Sequence, residues 1–182
     1  MMIHLDGPRR PAGGAPAPAA PPLQRLCRAI DLAASEPLPR RQAAIAAAMR
    51  PYLGARDLLH PVPCPSSPDR YVRHLLHAGP QHTVLALVWR PCQMSPIHSH
   101  RTWCVLGIHC GCMTETFFVP SSGTLAARGC ALRYPGDVSH DPTGPVSAHR
   151  LANLGAETAI SIHVYGAAYD RLGEDVNEIH AA

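Results

Sequence analysis

Apolar residues recur at helical spacing early in the chain and at strand spacing later. Leu23, Leu26, Cys27, Ile30 and Ala33 share one side of a helix predicted over Leu23 to Ala34. An Ala-rich stretch predicts a second helix from Arg41 to Leu53, with Pro37 and Pro39 breaking the chain before it and Pro51 ending or kinking it. Pro61, Pro63, Pro65 and Pro68 make a stiff connection. From Tyr71 onward the texture changes to short strands. They are predicted at Tyr71 to Leu76, Thr83 to Trp89, Ile97 to His100, Trp103 to His109, Met113 to Val119, Ala131 to Tyr134, His149 to Leu154 and Ala159 to Tyr165. Gly79-Pro80, Ser121-Ser122-Gly123, Pro135-Gly136 and Gly155 supply turns. Short strands at this spacing predict a sandwich or barrel.

The organisation that follows is a Pro/Ala-rich disordered tail over residues 1–22, a helical segment over 23–68 packing on a barrel, and the barrel itself over 69–182. Composition narrows the function classes. No apolar run is long enough to span a membrane, and Met1 to Arg10 lacks the apolar stretch of a secretory signal, so a soluble cytoplasmic protein is expected. The net charge is only +3, and the sixteen basic residues, all Arg, are scattered. That pattern argues against a nucleic-acid partner. Seven cysteines, an odd number without a secretion signal, predict thiols rather than a disulfide framework. A monomer or homodimer is expected.

The twelve histidines are the main chemical lead. In His98-Ser99-His100 the two imidazoles point to one face of a strand, where a third ligand can join them. Cys104 and Gly111 follow at the spacings where the first cupin motif has Glu and Gly. His149 with Asn153 matches the H-x-x-x-N end of the second motif. Pro135-Gly136-Asp137-Val138-Ser139-His140 is a looser rival; His149 is preferred as third ligand, leaving His140 as a polar loop residue. Ser161, His163 and Tyr165 alternate with apolar residues on one strand. They are either the solvent face of an edge strand or a buried hydrogen-bonded relay.

The region Tyr71 to Tyr165 resembles the thiol dioxygenase family of cupins, which includes cysteine dioxygenase. The matching pieces are Tyr71-Val72-Arg73, Val88-Trp89, Ser95-Pro96-Ile97-His98-Ser99-His100, Thr102-Trp103-Cys104, Gly111, Glu115-Thr116, His149-Arg150 with Asn153, and Ser161-Ile162-His163-Val164-Tyr165. The resemblance implies a mainly β cupin, a small jelly-roll barrel with N-terminal helices. It implies Fe(II) on His98, His100 and His149, with a small thiol and O2 as reactants. It also implies a substrate carboxylate paired with Arg73 beside Tyr71, and Tyr165 as a catalytic hydroxyl oriented by His163 and Ser161. Members preferring 3-mercaptopropionate carry Gln where Arg73 stands. In some members the residue at the Cys104 position is thioether-linked to the tyrosine, here Tyr165.

The chain also departs from the family. The loop between His100 and Cys104 is one residue shorter than in mammalian members, Cys92 replaces a usual turn Gly, and Gly166-Ala167-Ala168 lacks the usual prolines. The leading expectation is oxidation of L-cysteine to cysteine sulfinate. The alternatives are a biosynthetic relative that diverts the oxidised sulfur (to a sulfonamide, for example), a 3-mercaptopropionate dioxygenase, a zinc hydrolase or isomerase, and a non-catalytic metal-binding cupin.

Overall fold

The computed structural model describes residues 20–121, 123–141, 148–173 and 176–180. Most of the predicted tail, residues 1–19, lies outside them. Helix α1 spans Pro22–Ala34 and buries Leu23, Leu26, Cys27, Ile30 and Ala33, the side that the periodicity predicts. Helix α2 spans Leu38–Met49, so it starts and stops earlier than expected. Pro39 does not break the chain. It sits in the first turn, where a missing N–H costs nothing. Pro51 follows the last helical residues, as a residue that cannot continue the ladder should.

Ten strands follow among the described residues: β1 Val72–Ala78, β2 Thr83–Trp89, β3 His98–His100, β4 Cys104–Cys110, β5 Met113–Ser121, β6 Thr124–Arg133, β7 Val138–Asp141, β8 Ala148–Ala152, β9 Ala159–Tyr165 and β10 Asn177–Ile179. They form two five-stranded sheets, β1-β2-β9-β4-β7 and β10-β3-β8-β5-β6. The named strand pairs are antiparallel. After β2 the chain crosses between the sheets at each connection except the β5–β6 hairpin, which is the order of a jelly-roll barrel.

Three strands differ from expectation. β6 begins at Thr124 rather than Ala131, because most of its residues are exposed and show no apolar alternation. β7 and β10 are short edge strands with no apolar signal; β7 includes His140, which is therefore not a loop residue.

The helices explain why the first sheet is so apolar. Leu26, Ile30, Ile45 and Met49 pack with Val84, Val105, Ile162 and Val164 on its outer face. Leu85, Leu87, Trp89, Leu106 and Ile108 line its inner face, and Met113 of the second sheet packs against them. Both faces are thus covered, and β2 is buried along its whole length. No helix among the described residues is long and apolar enough to cross a membrane.

Candidate metal centre

His98, His100 and His149 meet inside the barrel. β3 carries the first two on one face, and β3 pairs with β8 so that His98 stands opposite His149. The ring centroids lie 5.0 Å (His98–His100), 4.6 Å (His98–His149) and 5.1 Å (His100–His149) apart. One ligand nitrogen from each ring falls within 4.8 Å of the others. All three residues are buried, and His100 Nε2 has no hydrogen-bond partner. Burial pushes the His98 imidazole down to about 4 and that of His100 down to about 2. Each therefore offers a lone pair at neutral pH, which is what a cation needs. His140, by contrast, is exposed on β7 in the other sheet.

The ligand tautomers are set from behind. His98 Nδ1 donates to the Pro96 carbonyl at 3.0 Å. His149 Nδ1 donates to Glu115 Oε1 at 2.9 Å. Both rings thus turn Nε2 toward the common centre. Glu115 is fully buried on β5 and also accepts from Arg133 Nε at 2.9 Å and from the Ser139 hydroxyl at 3.3 Å. Burial pushes the Glu115 carboxyl up, but its bonds and charge contacts with His149 and Arg133 outweigh this and hold it below its usual value. The Glu115-Thr116 segment carries part of the family resemblance, which gives Glu115 no task. The available signal was its position: Met113, Glu115 and Phe117 alternate on one face of β5, and an acid among inward residues needs partners.

Facing the histidines is the Ser161, His163, Tyr165 row. β9 is the central strand of its sheet, between β2 and β4, so the edge-strand reading does not hold. Trp89 Nε1 donates to Ser161 Oγ at 2.9 Å, Ser161 Oγ lies 2.9 Å from His163 Nε2, and His163 Nδ1 lies 3.1 Å from the Tyr165 hydroxyl. An indole N–H only donates. The arrangement that satisfies every donor has the Ser161 hydroxyl donating to His163 Nε2, and His163 Nδ1–H donating to the Tyr165 oxygen. The Tyr165 proton then points onward. Burial keeps the His163 imidazole neutral and the Tyr165 phenol protonated, shifting the first well down and the second well up. The Tyr165 ring lies 5.9 Å from that of His100.

Between the two groups is a small cavity of about 40 Å³, lined by Arg73, Trp89, His98, His163, Tyr165 and Asn177 among others. Arg73 is exposed on the edge strand β1, yet its register opposite Leu87 aims it at the barrel mouth. Its Nη2 donates to the Tyr71 hydroxyl at 3.2 Å, and Tyr71 stacks on Trp89 at 4.1 Å. Asn177, from the unforeseen β10, brings a buried Oδ1 that has no hydrogen-bond partner.

No family model matches the sequence. Solved structures do resemble it. A protein from Thermus thermophilus gives a TM-score of 0.50 at 17% identity, over 63% of this chain and 98% of its own. A double-stranded β-helix domain protein from Klebsiella pneumoniae gives 0.45 at 17% identity, over 65% of this chain and 90% of its own. A sugar phosphate isomerase from the cupin superfamily, from Silicibacter pomeroyi, gives 0.41 at 19% identity, over 47% of this chain and 50% of its own. This chain thus spans about half the length of that isomerase.

The fold is a mainly β jelly-roll barrel with N-terminal helices, and the Thermus thermophilus protein shares it. At these identities the likeness speaks for fold, and chemistry must be argued from the site.

The residues singled out around this barrel have separable tasks. Among the described residues the cluster is made of imidazoles alone, with Cys104 outside it. Gly111 turns β4 into β5 with φ of +73°, and a Cβ there would meet Ala159 at 2.8 Å. Asn153 is structural: its Nδ2 donates to the carbonyls of Trp89 at 2.9 Å and Glu157 at 2.8 Å. Cys104 and Tyr165 are both buried and directly opposite each other across β4 and β9.

Proposed function

We propose that this chain is a cupin, a non-haem iron thiol dioxygenase that converts a small thiol carboxylate, L-cysteine first, into its sulfinate. One observation carries the reading. An all-histidine cluster faces the Trp89–Ser161–His163–Tyr165 chain across a cavity with a single cation, Arg73, among its lining residues. The donor set fits a ferrous ion: three imidazoles, two of them held through Nδ1, with coordination positions left over. Fe(II), when bound, supplies activation of O2 next to a thiolate. In the net reaction both oxygen atoms end on sulfur.

The chain's own residues do the rest. Arg73 supplies a planar fork suited to a carboxylate, and Tyr71 holds that fork at the cavity rim. Tyr165 aims its hydroxyl proton into the cavity, where negative charge on oxygen or sulfur gathers. Leu87 and Leu151 keep the walls dry. The placement of Cys104 opposite Tyr165 supports a thioether between them, formed with loss of two hydrogens to O2; the intact mass after turnover reads it directly.

The test is oxygen uptake by the iron-loaded protein with cysteine, set against 3-mercaptopropionate, in the wild type and Arg73→Gln. Uptake with cysteine, absent in His98→Ala, is expected. Because Arg73 is exposed, Arg73→Gln should cost about 1.5–3 kcal/mol in cysteine kcat/KM, and the preference should move toward 3-mercaptopropionate. No uptake with either thiol would contradict the reading.

A further inference from the structure

A second cluster lies on the other side of the molecule's first sheet, away from the barrel cavity. Asp31 on α1 meets His77 on β1 and His82 in the turn before β2. His77 Nε2 is 2.8 Å from Asp31 Oδ1, and His82 Nε2 is 3.0 Å from the same oxygen. The three ligand atoms all fall within 4.8 Å of one another.

His82 is the telling member. Its side chain is only 5% exposed, yet its Nε2 makes no hydrogen bond. The nitrogen sits close to the carboxylate oxygen, but the ring does not aim a proton at it. The two groups are thus close but unmatched: a buried ring nitrogen and a carboxylate oxygen 3.0 Å apart with no hydrogen bond between them. A cation between them resolves the mismatch. The ring is also firmly seated: Gly79 packs so tightly on it that no Cβ fits, and the Gly79 N–H donates to the His82 carbonyl at 2.9 Å.

We propose that Asp31, His77 and His82 form a second metal site, for a divalent first-row transition ion such as Zn²⁺. Ligand atoms about 2.1 Å from such an ion stand roughly 3.0–3.4 Å apart in octahedral or tetrahedral geometry; the 3.0 Å separation fits, and the 2.8 Å one, a hydrogen bond between His77 and Asp31, opens slightly on binding. Asp31 and His77 are 44% and 27% exposed, so solvent reaches the ion's remaining positions. The ion would clamp α1 to the β1–β2 hairpin, and β1 is the strand that carries Arg73. Arg41 is the nearby cation that opposes binding.

Co²⁺ is the probe, because its visible absorption reports coordination. After dialysis the full chain should keep about two Co²⁺, and His98→Ala about one. That remaining ion should also raise the melting temperature of His98→Ala. Adding Asp31→Asn or His77→Ala to His98→Ala should remove both the absorption and the temperature shift, with circular dichroism unchanged. Both positions are exposed enough to be replaced without unfolding the chain. A His98→Ala protein that keeps no Co²⁺, or one whose Co²⁺ is unaffected by Asp31→Asn and His77→Ala, would overturn the proposal. Neither result bears on the thiol reaction, which rests on the barrel histidines.

Discussion

Glu115 shows how one buried acid organises the centre. Its carboxylate fixes the His149 tautomer, and Arg133 and Ser139 keep it charged. Glu115→Gln removes that charge and can present the wrong group to Nδ1. Metal affinity should fall about 10–100-fold, measured by iron retention against a chelator of known strength. Retention equal to wild type would mean that the carboxylate does not tune the ligand. The relay gives a graded expectation. Tyr165→Phe removes the proton aimed at the cavity, and its kcat should fall by about 10²–10³-fold. Trp89→Phe removes the donor that orients Ser161 and keeps an aromatic ring under Tyr71, so about a fivefold to tenfold loss is expected. A Trp89→Phe enzyme as impaired as Tyr165→Phe would show that the indole touches the reaction itself.

Among the elements, strands buried on two faces were the easiest to read. β2, β4 and β9 are apolar runs because helices cover one side and the barrel fills the other. The His-x-His pair and the Ser-x-His-x-Tyr row were legible for the same reason: a strand's period of two puts them on one face. What the sequence hid depended on long-range pairing. β7 and β10 owe their existence to β4 and β3, not to their own residues. Asn177 reaches the cavity only through that pairing. Cys92 is an element-level oddity with a measurable cost. It is a non-glycine residue at φ of +68° in the turn after β2, at a position where a glycine was expected. Cys92→Gly should relieve the left-handed strain and stabilise the fold by about 0.5–1 kcal/mol after the glycine's own entropy cost. Urea unfolding measures it, and a loss of stability would show that the Cys92 side chain makes a compensating contact.

At the scale of the molecule, the barrel buries several neutral histidines for the sake of its centre. In the metal-free chain this makes stability depend on pH. His98 and His100 hold folded values of about 4 and about 2, below the value of an unfolded histidine near 6.5. The unfolded chain therefore takes up protons first as pH falls. The stability is fully present above about pH 6.5 and is lost as pH falls through the folded values, at up to about 1.4 kcal/mol per unit for each residue. Denaturant midpoints of the metal-free protein should drop between pH 7.5 and 5, and His100→Phe should flatten the slope. A midpoint independent of pH over that range would mean that the imidazoles are solvated or already charged.

The central claim concerns where the oxygen goes, and isotopic labelling decides it. The iron-loaded protein is turned over with cysteine under ¹⁸O₂ in ordinary water, and the product is weighed. The account predicts cysteine sulfinate carrying both labelled atoms on sulfur. A product with no label, or cysteine consumed only to the disulfide, would contradict it.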